Sequence, residues 1–257
     1  MRQILRLCAF VCLLVSYAGG ALIFHIVFRN PFRTRKWIGR WLRLHARLTL
    51  EAFGIHVNSE LLPLKLPSPA FIVSNHLGYL DALVISSLLP VSFVTSIEMH
   101  DTFFIGQITK LAGCLYVERR NKENIHNEIS MLTEALNNGV NVCVFPEATS
   151  TNGESVLRFR KPLYTAAIQS KTPVIPLCLN YESIDGLPVR SDNRDLLFWY
   201  DNMPFFSHLW SLWNIRDAHV RVTFGQPILT TSDAASVAEE SHLTVSSHFR
   251  PIVSATL

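Results

Sequence analysis

A histidine and an aspartate five residues apart, His76 and Asp81, lie in the stretch that covers residues 74–81. A carboxylate that accepts from one imidazole nitrogen fixes the tautomer of the ring and stabilises the positive charge that the ring gains with a proton. The other nitrogen of His76 is then available as a general base towards a hydroxyl group or a water molecule. The spacing therefore predicts proton-transfer chemistry, with Asp81 as the residue that orients the base.

The elements around this stretch explain how the two side chains meet. Residues 70–73 (AFIV) are typical of a short buried strand, and residues 79–89 are long enough for a helix, which a proline ends. His76 then lies where a strand passes into a helix and faces a cleft. Because a spacing of five does not align two side chains on one helix face, we expect Gly78 to allow a tight bend. That bend leaves His76 in the loop and Asp81 in the first helical turn.

Such a pair alone is more often a surface hydrogen bond, and three blocks downstream favour catalysis instead. Asn75 and His76, followed after four residues by Asp81, resemble the signature of the glycerolipid acyltransferase family, which includes bacterial 1-acylglycerol-3-phosphate acyltransferases. Residues 113–119 (GCLYVER) resemble the second block of that family, and residues 174–176 (VIP) resemble the fourth, which we interpret as a strand packed behind the site. Each block is a weak signal, but their order along the chain makes the resemblance strong.

The third block of the family resembles residues 145–149 (FPEAT), with two departures. Glu147 and Thr149 match the family pattern, whereas Ala148 replaces a glycine and Ser150 stands where an arginine is usual. The resemblance implies that this arginine takes part in binding the phosphate of the acceptor. The acceptor site of this chain is therefore expected to differ from that of its relatives.

Other cations are available for an anionic acceptor. The resemblance implies that Arg119, at the end of the second block, binds the acceptor phosphate, and a guanidinium suits such a group because it donates two parallel hydrogen bonds. Arg158, Arg160 and Lys161 follow the third block and are candidates for the charge that Ser150 lacks. The predicted substrate-binding residues are Asn75, Arg119, Glu147, Thr149, Arg158 and Arg160.

The chain begins with an apolar segment. No formal charge occurs between Arg6 and Arg29, a stretch longer than the roughly 20 residues that cross the hydrocarbon core as a helix. We predict a retained membrane anchor over residues 1–29. A cleaved signal peptide is an alternative, and a re-entrant or in-plane helix bent at Gly19-Gly20 is another.

A basic segment, residues 30–55, follows the apolar one. Its cations alternate with Trp37, Trp41 and aliphatic residues at helical spacing, which indicates an amphipathic helix on an anionic membrane surface. Positive charge beside an anchor also predicts that the rest of the chain lies on the cytoplasmic face of the inner membrane. The cations of the segment and its flank are Arg29, Arg33, Arg35, Lys36, Arg40, Arg43 and Arg47.

The remainder of the chain alternates strands and helices. This pattern predicts an α/β domain over residues 56–229 with a mostly parallel sheet flanked by helices, as the resemblance also implies, and a weakly patterned tail over residues 230–257. The five cysteines fit no zinc spacing and are expected to be buried free thiols in a reducing compartment. The net charge of +3 is small and concentrated in one segment, so nucleic acid is not an expected partner.

The resemblance implies transfer of a fatty acyl group from a thioester, on acyl carrier protein or coenzyme A, to the free hydroxyl of a lysolipid. With His76 as base, direct attack needs no covalent intermediate, metal or cofactor, and backbone N–H groups near the helix start are expected to stabilise the oxyanion. The first candidate acceptor is 1-acylglycerol-3-phosphate, giving phosphatidic acid. A lyso-ornithine lipid is the alternative that the missing arginine favours. An inactive, membrane-tethered lipid-binding protein is the alternative outside the enzymes, and the intact His76, Asp81 and Glu147 argue against it.

Overall fold

The computed structural model describes residues 2–60, 66–102, 105–118, 124–231 and 233–253. Within them the helices are α1 (Arg2–Val27), α2 (Pro31–Phe53), α3 (Leu80–Leu88), α4 (Ile97–His100), α5 (Ile105–Leu111), α6 (Ile125–Asn137), α7 (Tyr164–Gln169), α8 (Phe205–Leu212) and α9 (Ala234–His248). The strands are β1 (Ile55–Glu60), β2 (Phe71–Ser74), β3 (Ser92–Ser96), β4 (Leu115–Val117), β5 (Val142–Val144), β6 (Val174–Ile184), β7 (Leu187–Pro188) and β8 (Ala218–Phe224).

The strands form one sheet in the order β1-β8-β6-β2-β5-β3-β4, with β7 as a short hairpin partner of β6. The pairs are parallel except for β6 with β8 and β6 with β7. The prediction of a mostly parallel sheet flanked by helices is therefore confirmed. Every residue of β2 and β5 is buried, as expected for parallel strands that helices cover on both faces.

Alternation along β2 divides the core between the two faces of the sheet. Ile72 belongs to the apolar cluster that contains residues of α2 and α3, whereas Phe71 and Val73 belong to the cluster that contains residues of α6, α7 and α9. This is the period of two that a strand imposes on its side chains. Because β2 lies between β5 and β6 in parallel register, with Val73 beside Val144 and Pro176, the segments that leave these strands meet at one edge.

The first two helices form an antiparallel hairpin on the domain. The guanidinium of Arg6, near the start of α1, donates to the carbonyls of Phe53 (3.1 Å), at the end of α2, and of Ile215. Farther along the hairpin, Trp41 Nε1 donates to the carbonyl of Tyr17 (3.2 Å). Of the described helices, only α1 is long and apolar enough to cross a membrane, over Gln3–Val27 with a mean hydropathy of 2.3. One face of it nevertheless packs on protein.

Helix α2 begins and ends where local chemistry dictates. The Asn30 side chain accepts from the N–H groups of Phe32 and Arg33, a proline follows as the first helical residue, and Gly54 adopts a left-handed φ of 71°. These features are the preferred N-cap and C-cap arrangements. The helix corresponds to the predicted basic segment, residues 30–55.

One expectation, that all five cysteines are buried, was wrong, and two stretches hold more structure than the sequence showed. Residues 98–112 contain α4 and α5, with residues 103–104 outside the described parts. The predicted tail, residues 230–257, contains α9, whose Val237 and Val245 are buried in the core. Its alanine, serine and threonine content gives little hydrophobic contrast, which hid the helix. Cys8 and Cys12 are exposed along α1, whereas the other three cysteines are buried, and all five are free.

Candidate active site

The loop between β2 and α3 carries His76, and the first turn of α3 carries Asp81. Nδ1 of His76 lies 2.9 Å from Oδ2 of Asp81, so the predicted bend brings the two side chains together. Gly78 allows the chain at Trp199 to approach this bend closely, because a Cβ at residue 78 would lie 2.7 Å from the backbone nitrogen of Trp199. The contact between His76 and Asp81 is confirmed, while its role in catalysis stays a prediction.

Asp81 is fully buried, and its charge is offset by four donors. Oδ2 accepts from His76 Nδ1, Leu77 N–H (2.6 Å) and Gly78 N–H (2.9 Å), and Oδ1 accepts from the Tyr181 hydroxyl (2.9 Å). A carboxylate only accepts hydrogen bonds, so Nδ1 of His76 must carry the proton and Nε2 is the basic nitrogen. Burial, and then the charge of Asp81, raise the pKa of Tyr181 well above its ordinary value, which keeps its hydroxyl a donor.

The loop after β5 supports His76 from the other side. Oε1 of Glu147 accepts from the His76 backbone N–H (2.8 Å), and Oε2 accepts from the Leu157 N–H (2.7 Å). Burial raises the pKa of Glu147 to about 7, against the opposite effect of these two donors. The ring of Phe145 stacks on the imidazole at 4.0 Å with an interplanar angle of 12°. His76 is therefore held through its ring and its backbone at once.

Two predicted substrate-binding residues have structural contacts. Asn75 is buried; its Oδ1 accepts from Leu179 N–H (2.8 Å) and its Nδ2 donates to the Leu179 carbonyl (3.0 Å). We therefore interpret Asn75 as a positioning residue that ties the end of β2 to β6, and Glu147 has the corresponding role towards His76. Thr149 is exposed, and its hydroxyl donates to the carbonyl of Ser150 (3.3 Å).

The expected oxyanion donors are not the first N–H groups of the bend. The N–H of His76 donates to Glu147, and the N–H groups of Leu77 and Gly78 donate to Asp81. These three groups already have partners, because they hold the bend itself. The expectation of oxyanion donors near the helix start therefore stays a prediction for the other N–H groups there.

A groove of about 920 Å³ begins at Phe145, whose ring contacts His76. It contains Arg158, Arg160 and Lys161, for which no ion pair exists within the described residues. Arg119, the other predicted phosphate ligand, lies outside those residues. The remaining charged side chains of the lining are Glu118, Glu128 and Glu239, and its apolar residues include Val94, Val117, Val144, Phe159 and Leu163.

The described residues contain no group of three or more histidine, cysteine, aspartate or glutamate side chains that could hold a metal ion.

A model of the family described as Acyltransferase matches residues 56–180, the region that carries His76, Asp81 and Glu147. This match supports the glycerolipid acyltransferase family for this chain. The family prediction from the four blocks is therefore confirmed, and the chain is an O-acyltransferase.

Two names recur among the similar sequences. A lyso-ornithine lipid O-acyltransferase of Rhizobium meliloti is 28% identical over 204 residues, 76% of this chain and 68% of the relative. One of Pseudomonas aeruginosa is 29% identical over 221 residues, 84% of this chain and 79% of the relative. A 1-acyl-sn-glycerol-3-phosphate acyltransferase of Neisseria meningitidis is 25% identical over 158 residues, 62% of this chain and 60% of the relative.

A solved structure supports the fold. The crystal structure of the 1-acyl-sn-glycerophosphate acyltransferase of Thermotoga maritima matches with a TM-score of 0.65 over 96% of this chain and 95% of that protein. Its sequence identity is 17%, so the likeness concerns the arrangement of the chain. The glycerolipid acyltransferase architecture predicted from the blocks is thereby confirmed.

Sequence reasoning missed Tyr181 and Phe145 as partners of the pair. Tyr181 lies two residues after Leu179 on β6, and strand alternation places both residues in the cluster that contains α3. That periodicity was the available signal, since a hydroxyl on this face points beneath the helix that carries Asp81. Phe145 lies inside the third block, and only the parallel register of β2 and β5 shows that it reaches His76.

Proposed function

We propose that this acyltransferase transfers an acyl group from a thioester to the free hydroxyl of a lysolipid, with Nε2 of His76 as the general base. The observation that carries the proposal is the bond from Nδ1 to the buried, accept-only Asp81, which makes Nε2 the basic nitrogen of the neutral ring. The His76 side chain is 22% exposed, so part of the ring is open to an acceptor. Glu147 and Phe145 keep the ring in place during the proton transfer.

The reaction balances without a covalent enzyme intermediate. His76 takes the hydroxyl proton as the acceptor oxygen attacks the thioester carbonyl, and the new carbon–oxygen bond gives a tetrahedral oxyanion. The carbon–sulfur bond then breaks, and the proton held on Nε2 passes to the departing thiolate. The products are an ester and a free thiol, and the base is regenerated.

For the acceptor we favour a lyso-ornithine lipid over the phosphate acceptor that the sequence placed first. The relatives of R. meliloti, Brucella abortus, Rhodobacter capsulatus and P. aeruginosa all carry that name. Ser150 replaces the family arginine, and the groove contains carboxylates as well as cations. An ornithine head group carries a carboxylate and an ammonium group, so a lining of mixed charge is complementary to it.

The second candidate acceptor is 1-acylglycerol-3-phosphate. Arg158, Arg160 and Lys161 lie together on one wall of the groove, and a phosphate favours guanidinium partners. Relatives of Neisseria meningitidis and Neisseria gonorrhoeae have this acceptor in their names. We place the donor, on acyl carrier protein or coenzyme A, and the cleft itself at the cytoplasmic face of the inner membrane, because cations flank α1.

The test is an assay of the purified full-length protein with both lysolipids and both thioester donors. Product ester is measured by mass spectrometry, and released thiol is measured in parallel to verify the balance. Ester should form on a lysolipid hydroxyl with equimolar thiol, faster on the lyso-ornithine lipid, and His76→Ala should abolish it. Absence of ester from every combination would refute the proposed function, and faster transfer to 1-acylglycerol-3-phosphate would establish the second acceptor.

A further inference from the structure

Helix α8 presents aromatic side chains to the outside of the molecule, next to the catalytic loop. Trp210 is 70% exposed and Phe206 is 65% exposed, and the two are one helical turn apart on the same face. The opposite face is anchored in the domain through the buried His208 and Leu212. The exposed face, which we call the α8 face, is defined by Phe206, Ser207 and Trp210.

The α8 face continues the apolar surface of α1. Trp210 stacks on Trp213 (6.2 Å), and Trp213 makes an edge contact with Phe10 of α1 (5.5 Å). Gln3 Nε2 also donates to Asn214 Oδ1 (3.0 Å), which joins the start of α1 to the turn after α8. The neighbouring outward side chains of α1 are apolar, among them Ile4, Leu7 and Val11.

The same helix is fastened to the catalytic loop. The Tyr79 hydroxyl and Nδ1 of His208 share a hydrogen bond of 2.8 Å, and Tyr79 makes an edge contact with Phe205 at 5.2 Å. Burial raises the pKa of Tyr79 and lowers that of His208, so both groups are neutral and suited to a site beside a lipid phase. Tyr79 lies between His76 and Asp81 in the chain.

We propose that the α8 face is a second membrane-contact element, which inserts into the interfacial layer of a phospholipid bilayer beside α1. Tryptophan suits this layer, because its ring is apolar while its indole N–H reaches water or head groups. The contact places the loop of His76 at the bilayer surface from which a lysolipid enters. The proposal rests on the proposed function for this substrate, but the contact itself is measurable without turnover.

The first test places a fluorescent label on the α8 face of the full-length protein. In a background with Cys8→Ser and Cys12→Ser, Ser207→Cys is labelled with an environment-sensitive dye, which leaves Trp210 and Phe206 intact. The matched control is Ser247→Cys on α9, an exposed helical serine on the opposite face of the sheet. The proteins are reconstituted into phosphatidylcholine vesicles with and without lipid brominated near the head group.

Emission of the label at residue 207 should shift to the blue and be quenched by the brominated lipid, while the label at residue 247 should be quenched only by aqueous iodide. Equal iodide quenching at both positions would overturn the proposal. Energy transfer between labelled copies at residue 207 without bromolipid quenching would also overturn it, because a second copy would then cover the face. Neither readout depends on the acceptor, so failure here is distinguishable from failure of the proposed function.

The second test separates membrane contact from chemistry. Trp210→Ser should lower the rate on lysolipid presented in vesicles by about tenfold, as expected for losing part of the transfer free energy of one aromatic side chain. With substrate dispersed in detergent micelles, the variant should stay within about twofold of the wild type. Leu243→Ser, which changes a side chain on α9 that is 60% exposed, should leave both rates unchanged. Equal losses for Trp210→Ser in vesicles and micelles would contradict the proposal.

Discussion

The loop that carries His76 and the stretch that carries Arg158, Arg160 and Lys161 are built differently. Phe145 connects them, because it stacks on His76 and lines the groove of the cations. Around His76, both backbone and side-chain groups are bonded, and Asp81 has four donors inside the core. In the other stretch the backbone is held, with Arg160 N–H donating to the Pro146 carbonyl (3.0 Å), while the cationic side chains are exposed. The fold therefore fixes the proposed base and leaves the proposed acceptor contacts adjustable.

This difference assigns different kinetic effects to the two regions. Changes around His76 should lower kcat, because they disturb a preorganised base whose geometry matters in the transition state. Changes in the cationic stretch should mainly alter KM and the preference between acceptors, because exposed charges bind weakly and rearrange easily. Variants in each region test whether this division holds.

The largest effect is expected for His76→Ala. Removing the general base should lower kcat by about 10³-fold, while the variant stays folded and membrane-associated, because Asp81 keeps three of its four donors. Turnover and thermal unfolding of the purified variant check both parts. Near-normal turnover in a folded variant would refute the assignment of His76.

Asp81→Asn should come next. An asparagine can still offer its carbonyl to the three donors on the His76 side and its NH₂ to the Tyr181 oxygen, so the variant loses the negative charge while keeping the geometry. We expect kcat to fall by about a hundredfold to a thousandfold, measured alongside the melting temperature. A loss below about threefold would mean that the charge of Asp81 is not needed.

Glu147→Gln should have a smaller effect, with a diagnostic pH dependence. In the glutamine variant the NH₂ group, which cannot accept, faces one of the two N–H donors, from His76 or Leu157. We therefore expect kcat to fall about tenfold, because one buried donor is left unsatisfied. Because burial raises the pKa of Glu147 to about 7, the folded wild type holds this proton more tightly than the unfolded chain, whose pKa is near the ordinary 4.5.

The wild type therefore loses stability relative to the glutamine variant as pH rises from about 5 to about 8. Melting temperatures of the two proteins over this range should show their difference changing in that direction. If the difference in melting temperature stays constant with pH, Glu147 does not ionise within this range. The control is Glu240→Gln, which changes an exposed carboxylate on α9.

Tyr181→Phe should be milder again. The phenol donates to the oxygen of Asp81 that does not contact His76. Its loss loosens the carboxylate that orients the ring, which lowers kcat, and leaves more of the carboxylate charge to stabilise the imidazolium. We expect a loss of about threefold to tenfold in kcat, together with a shift of the acid limb of the rate–pH profile to higher pH. A loss without that shift would indicate that Tyr181 only packs beneath α3.

The contacts around His76 differ in how well the sequence predicts them. The contact of His76 with Asp81 follows from a strand, a glycine and a helix that are close in the chain, so local rules suffice. Tyr181, 100 residues after Asp81, reaches the same carboxylate only because β6 pairs with β2. The register between distant strands depends on the whole sheet, so it cannot be predicted from short blocks of sequence.

The same reasoning applies to α9 and to Asn75, whose surroundings the sequence does not show. Helix α9 shows little contrast between its apolar and polar faces. Ser241 lies on its buried face and satisfies its hydroxyl by donating to the carbonyl of Val237 (2.7 Å) within the helix. The spacing of apolar residues alone therefore does not reveal the buried face. Asn75 resembles a substrate ligand in the chain, but both of its amide atoms bond to Leu179. A block shared within a family marks a site without separating the residues that touch substrate from those that hold the frame.

The smallest effect, and the sharpest test of the adjustable region, is expected for Ser150→Arg. The change adds the family guanidinium two residues after Ala148, which lines the groove. An exposed charge contact is worth up to about 1 kcal/mol, or about fivefold. KM for 1-acylglycerol-3-phosphate should therefore fall by up to about fivefold, and KM for a lyso-ornithine lipid should rise through repulsion of its ammonium group, with kcat nearly constant for both. Ser155→Arg, at an exposed serine five residues farther along, is the matched control and should change neither value. If Ser150→Arg lowers kcat on both acceptors alike, the cationic stretch takes part in catalysis and the division between the two regions is wrong. If it shifts the two KM values in opposite directions, exposed side chains that no ion pair holds within the described part of the chain determine which acceptor is preferred.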